Sequence, residues 1–188
     1  FKGKPENVTE TALSAFHAGN GYPLTTLAEI YEFEEPKARD TEQVVCTGNE
    51  ALGHGILAAG VRFGAAYPIT PWSDIMELLR RELPKYNGIF VQAEDEIAAI
   101  SIAIGASWGG RCAITGSSGP GIALKSEAIG WAVMAEIPLL VVDVQRGGPS
   151  TGMPTNVEQS DLNIACFGGH GDSPRVVLAP SSVEDCFY

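Results

Sequence analysis

Three consecutive acids, Glu94-Asp95-Glu96, stand at the head of a run that is otherwise almost wholly apolar as far as Gly105. A carboxyl group there can hold or move a proton at the mouth of a water-poor site. It can equally do no more than cap a helix, whose first turn favours an acid by roughly 0.3–1 kcal/mol. Spacing does not choose among the three, because each has apolar neighbours three and four residues on. Arg146 follows another apolar stretch, Pro138–Val144. Its guanidinium can grip a carboxylate through two parallel hydrogen bonds, or pair with one of the chain's own acids. Thr70 is bracketed by Pro68 and Pro71, which stiffen the turn and aim its hydroxyl, though the same prolines also make a plain rigid connector. Ser117-Ser118-Gly119-Pro120-Gly121 leaves backbone N–H groups free at a helix start, where an anion or a carbonyl can bind. It is no phosphate loop, because Leu124 precedes Lys125 where that loop needs glycine. His17 lacks a metal-ligand partner at helical spacing and His170 lies among glycines, so both read as surface residues and no metal site is expected.

These residues need elements to hold them. Residues 49–59 read as a helix ended by Gly60, 62–67 as a strand, and 68–71 as a turn. Ser73 or Asp74 is expected to cap a helix running to Leu83. A strand over 88–92 leads into a helix over 94–108 that is apolar on every side and therefore expected to be buried. A strand over 111–115, a glycine-rich turn and a helix over 122–134 follow, then the apolar strand 138–144 and a long loop over 145–158. A helix over 159–167, a strand over 175–178 and a helix beginning at Ser181 complete the reading. Strands alternating with helices at this spacing predict an α/β fold of three layers, a parallel sheet with helices on both faces. Ligands of such sheets sit beyond the carboxyl ends of the strands. The segments leaving those ends are 67–71, 93–96, 116–121 and 145–152, which carry most of the unusual chemistry.

The bulk composition agrees with one soluble globular domain: 188 residues, 45% hydrophobic and 19% charged. A net charge of −11 disfavours a nucleic-acid partner. No run approaches the ~20 apolar residues of a membrane span, so no membrane partner is expected and the location is expected to be cytoplasmic. Cys46, Cys112, Cys166 and Cys186 form no CxxC pair and are expected to be buried, reduced thiols. Residues 1–44 differ in character and read as the tail of a preceding domain plus a linker, with 12–17 forming one or two helical turns. The chain reads as a fragment of a longer polypeptide.

From about Gly48 to Tyr188 the motifs match a known family. They are YPITP at Tyr67–Pro71, QAEDEIAAI at Gln92–Ile100, SGPG at Ser118–Gly121, DVQRGGPSTGMPT at Asp143–Thr155, EQSDL at Glu158–Leu162 and HGDSP at His170–Pro174. On these the chain resembles the alpha subunit of 2-oxoacid:ferredoxin oxidoreductases, most closely the 2-oxoglutarate type. The resemblance implies that 45–188 is a pyrimidine-binding domain of the thiamine diphosphate fold, truncated at its C-terminal end, and that 1–44 ends a gamma-like domain. It implies a coenzyme A-dependent oxidative decarboxylation of a 2-oxoacid with ferredoxin as acceptor. The alternatives are pyruvate or branched-chain oxoacid specificity, or a non-catalytic assembly subunit of the same fold.

The resemblance also selects Glu96 as the acid that shares a proton with pyrimidine N1′ of thiamine diphosphate, so promoting loss of the thiazolium C2 proton. Tyr67, Pro68, Ile69, Ser118 and Gly119 join it as cofactor-binding residues. Thr70 and Arg146 are implied to bind the oxoacid, with Gln159 and Asp161 in the same wall. Two positions depart from the family pattern: Trp72 replaces a small hydroxyl residue, and Gly116-Ser117 replaces Ala-Thr. The chain has neither a GDG…N motif for Mg²⁺-diphosphate nor a cysteine set for an iron–sulfur cluster. Those are expected from partners: a beta subunit with the diphosphate and Mg²⁺ site, a gamma domain fused or separate, and ferredoxin.

Overall fold

The computed structural model of the chain describes residues 4–22 and 42–188, and the chain divides into two units, Phe1–Gln43 and Val44–Tyr188. In the first unit, helix α1 spans Glu6–Asn20 and buries none of its residues. It is longer than the one or two turns expected, because no glycine or proline interrupts it before Gly19 and Glu6 sits favourably in its first turn. The breaker Glu32–Pro36 of the expected linker lies outside the described residues.

In the second unit, α2 (Gly48–Ala58) starts from a capping box in which Thr47 and Glu50 satisfy each other's backbone N–H. Strand β1 (Phe63–Ala66) follows, then α3 (Ser73–Glu82), a 3₁₀ turn over Leu83–Tyr86, and β2 (Ile89–Gln92). Next come α4 (Glu96–Trp108), β3 (Ala113–Ser117), α5 (Gly119–Met134), β4 (Leu140–Asp143) and the short α6 (Leu162–Phe167). The four strands are parallel in the order β2-β1-β3-β4.

Alternation along the strands divides the core between two faces. Ala66, Ile114 and Val142 meet α2 and α3 through Ile56, Trp72, Ile75 and Leu79. Ala65 and Ala113 face the other way, onto Ala103 of α4, and Ile100 and Ile104 pack on Ala132 of α5. The expected three-layer α/β architecture is therefore present. By the same parity Gly116 points to the α2/α3 layer and Ser117 to the α4/α5 layer.

Several local expectations are corrected. Neither Ser73 nor Asp74 caps α3; Trp72 holds the cap position without a side-chain bond. Asp74 instead accepts from Asn49 Nδ2 at 3.2 Å, tying α3 to α2. Helix α4 begins at Glu96, with Asp95 as the cap that accepts the Ala98 N–H at 2.7 Å. It is buried on one side only: Ala99, Ile100, Ala103 and Ile104 face the core, whereas Ile97, Ile102 and Trp108 are exposed. No described element of this chain covers that outer side.

The strand expected over 175–178 is absent, and Val176, Val177 and Leu178 are exposed. A strand needs a ladder, and this segment stands off β4 across a cavity of about 520 Å³ that both line. At Ser181 a turn replaces the expected helix, with Asp185 accepting the Ser181 N–H. None of the four cysteines is buried, and Cys112 is exposed, contrary to expectation. Among the described residues no helix is long and apolar enough to cross a membrane.

Candidate active site

From β1 the chain moves outward on one side to β2, then crosses back to β3 and on to β4. The strand order thus reverses between β1 and β3, which places the crevice of such a sheet beyond their carboxyl ends. The β1–β3 ladder covers Phe63↔Ala113 and Gly64↔Ile114, whereas β1 pairs with β2 along all four of its residues. The crevice is walled by the turn after β1 and the start of α5, and flanked by the start of α4 and the loop after β4.

Glu96 is half-buried at the first turn of α4, while Glu94 and Asp95 are exposed. Its side chain lies against α5: a Cβ added to Gly121 would meet Glu96 Cγ at 2.9 Å and would collide with Ser117 Oγ. Ser117 and Ser118 are fully buried, and both hydroxyls lack a hydrogen-bond partner. Lys125, also fully buried, donates from Nζ to the Glu96 carbonyl oxygen at 2.9 Å. Burial pulls its ammonium down to about 8, against the opposing pull of the Glu96 and Asp95 carboxylates. Asp95 acts as the cap, so the fold separates it from Glu96.

Thr70 and Arg146, far apart in sequence, are brought together. Arg146 is buried; Nη1 donates to the Thr70 carbonyl at 2.9 Å and Nη2 to the Thr151 carbonyl at 3.0 Å. Its Nε is buried without a partner, and no carboxylate forms an ion pair with it among the described residues. A buried guanidinium bonded only to carbonyl groups has no carboxylate in contact, a place that an anionic ligand can take. Thr70 itself is exposed, in a turn whose Thr70–Pro71 bond is cis. Tyr67 is half-buried and Pro68 exposed. Ile69 leans on the α2/α3 core, and its carbonyl accepts from Ser73 N at 3.0 Å.

Asp161 joins the two groups of residues. Its carboxylate lies against Gly119, whose backbone N–H favours the charged form, so the start of α5 already faces an acid from within the chain. Its backbone N–H donates to Gln145 Oε1 at 3.1 Å, and Arg146 is among the charges acting on it. Burial raises the Asp161 carboxyl, with Glu158 adding and the Gly119 N–H opposing. Asp143, at the end of β4, is pushed up to about 7 by burial and then by Asp161. Gln159 lines the cavity beside β4 together with Asp143 and Gln145; Glu96, Thr70 and Arg146 do not line it.

Trp72 and Gly116 explain each other. The Trp72 ring is fully buried and occupies the place of a residue-116 side chain, so a Cβ there would collide with its six-membered ring. The tryptophan departs from the family's small residue where the strand has given up its side chain. Spacing offers no reason to single out Lys125 or Asp143; the visible signal is only a lysine in a mostly small and apolar helical stretch that also holds Glu127, and an acid ending an apolar strand.

The aminopyrimidine that the resemblance implies can be tested against these residues. A carboxyl set beside a glycine and two buried hydroxyls without partners are groups able to hydrogen-bond the polar atoms of such a ring. They fit it.

Comparison with known proteins agrees. A family model described as pyruvate flavodoxin/ferredoxin oxidoreductase, thiamine diphosphate-binding, matches residues 54–188. The 2-oxoglutarate oxidoreductase subunit KorA of Mycobacterium tuberculosis is 49% identical over 194 residues, covering 100% of this chain and 29% of that protein. The 2-oxoglutarate synthase subunit KorA of Methanocaldococcus jannaschii is 53% identical over 140 residues, or 74% of this chain and 38% of that one. A solved 2-oxoglutarate:ferredoxin oxidoreductase from Magnetococcus marinus, with 2-oxoglutarate, coenzyme A and succinyl-CoA bound, superposes with a TM-score of 0.81 at 47% identity. That match takes in 100% of this chain and 33% of the other, so the chain spans about a third of the length of the proteins it matches. On the family match and these identities, the chain belongs to the pyruvate flavodoxin/ferredoxin oxidoreductase family, as part of its thiamine diphosphate-binding domain.

Proposed function

We propose that this chain is the alpha half-site of a 2-oxoglutarate:ferredoxin oxidoreductase, catalysing coenzyme A-dependent oxidative decarboxylation in the cytoplasm with a beta subunit and ferredoxin. The carrying observation is Glu96 lodged against Gly121 and the unpartnered Ser117 hydroxyl, beside the crevice where the strand order reverses. The relatives named for 2-oxoglutarate support the substrate.

When bound, thiamine diphosphate supplies a carbon nucleophile for the oxoacid carbonyl and a sink for the electrons left as CO₂ departs. The protein's part is binding, orientation and proton placement. Glu96 would hold a proton at pyrimidine N1′, and the Ser117 and Ser118 hydroxyls, buried without partners, would serve the ring's other polar atoms. Arg146, already fixed through Thr70 and Thr151, has an unpartnered Nε that would bond an oxoacid carboxylate. Thr70 presents its hydroxyl at the rim. The bare outer faces of α4 and α5, with Ile97, Trp108, Leu124, Trp131 and Met134 exposed, support a partner chain over this layer. The partner would bring the diphosphate, Mg²⁺ and cluster sites; the 1–44 segment is read as the end of a gamma domain.

The test is the full-length chain assembled with its beta partner, thiamine diphosphate, Mg²⁺, coenzyme A and a redox dye. Glu96→Gln is expected to lower oxoglutarate-dependent dye reduction by about 10²–10⁴-fold with the circular dichroism spectrum and assembly unchanged. Full activity would remove the assignment. Pyruvate and branched-chain oxoacids in the same assay fix the substrate.

A further inference from the structure

We propose that Lys125 is a positioning residue that fixes Glu96 for cofactor binding, gripping it from beneath the first turn of α4; this rests on the role proposed for Glu96. Lysine is almost never fully buried unless paired, because its ammonium loses hydration and its stem loses rotamer freedom. Lys125 has no exposure at all, and Nζ reaches the Glu96 carbonyl oxygen at 2.9 Å. Helix stability does not account for it. A cation at a helix N-terminus works against the dipole, and α4 already has Asp95 as its cap. A methionine would fill the same space without the desolvation cost.

Geometry does account for it. Lys125 follows Gly121 by four residues, one turn along the same face of α5. Gly121 makes room for the Glu96 side chain, and Lys125 holds the Glu96 main chain. One helix face thus touches residue 96 at two points, limiting both its backbone position and the space its carboxyl arm can enter. The charges facing the ammonium are the carboxylates of Glu96 and Asp95. Its lowered proton affinity accords with the dry setting, and the amine still donates when neutral, so the grip does not depend on its charge.

The experiment is a double-mutant cycle in the full-length chain assembled with its beta subunit. Thiamine diphosphate affinity is read by titration calorimetry on the cofactor-free complex, and turnover is measured alongside. Lys125→Met is expected to weaken cofactor binding and lower kcat by about ten- to a hundred-fold, the scale of a small misplacement, with oxoacid KM nearly unchanged. In a Glu96→Gln background the same change is expected to add about two-fold or less, since a side chain that cannot do the chemistry gains nothing from placement. Wild-type affinity and turnover in Lys125→Met, with Glu96→Gln impaired, overturn the grip alone, as do equal losses in both backgrounds. Full activity of Glu96→Gln overturns the role of Glu96 and the grip together. Lys125→Leu, which likewise has no donor, stands in with the same outcomes if the methionine variant does not assemble.

Discussion

Arg146 and Asp143 meet burial in opposite ways, one keeping its charge and the other its proton, and each leads to a measurement. Arg146 spends two N–H groups on the carbonyls of Thr70 and Thr151 and keeps Nε unpaired. Lysine keeps the charge but cannot make the same fork. Arg146→Lys is therefore expected to raise the oxoacid KM by about ten-fold or more, corresponding to a charge-assisted bond of ~1.5–3 kcal/mol, in steady-state kinetics on the assembled enzyme. Asp143 sits at about 7 in the fold, well above an ordinary aspartate. The folded state therefore holds a proton that the unfolded chain has already released. The stability linked to this group is complete below about pH 4 and is lost as pH rises to about 7, by up to ~1.4 kcal/mol for each pH unit crossed. Asp143→Asn should leave urea stability nearly unchanged at pH 4 and raise it at pH 8; no difference at pH 8 would show that the carboxyl is not buried as described.

Elements account for what single residues cannot. Helix α4 starts where Asp95 accepts the Ala98 N–H, which leaves Glu96 free of capping duty. Asp95→Ala should cost about 0.5–2 kcal/mol in denaturant unfolding. Trp72 at the head of α3 and Gly116 in β3 form a matched pair across the α2/α3 layer. Gly116→Ala alone overpacks this contact and should cost about 1–3 kcal/mol. In a Trp72→Ser background the same alanine should cost clearly less, because the ring it strikes is gone. Additive melting-temperature changes across that cycle would show that the two positions do not share their space. Taking Trp72 and Gly116 as separate departures from the family pattern misses this, since residues so far apart in sequence meet only when β1 and β3 lie side by side.

At the scale of the whole molecule, the exposed faces of α4 and α5 set what the chain can do alone. Ile97 and Trp108 on one helix, and Leu124, Trp131 and Met134 on the other, present apolar surface to solvent, and Trp131 is 47% exposed. A charge placed on such a surface opposes association, because it must be desolvated there without a partner. Trp131→Glu should leave this chain folded and abolish or strongly weaken co-elution with its beta subunit in size-exclusion chromatography. Undiminished assembly would show that the partner sits elsewhere.

The layered parallel architecture was legible in the chain because hydrophobic period and punctuation are local properties. The breaks at Gly60, Pro68 and Pro71, the small-residue turn before Ile122 and the apolar face of each helix are written in adjacent residues. The motifs after the strands likewise marked the rim that carries Glu96, Thr70 and Arg146. Periodicity could not separate Glu94, Asp95 and Glu96, since all three begin the same apolar run; the fold separates Asp95, which accepts the Ala98 N–H, from Glu96, which lies opposite Gly121. Nor could apolar content alone bury all of α4 or turn 175–178 into a strand. Burial and ladder bonds need a second surface at contact distance, and only the tertiary structure decides where one is present. The same holds for Lys125 and Asp161, whose partners lie on other elements and whose roles come from desolvation and reach rather than from any spacing in the chain.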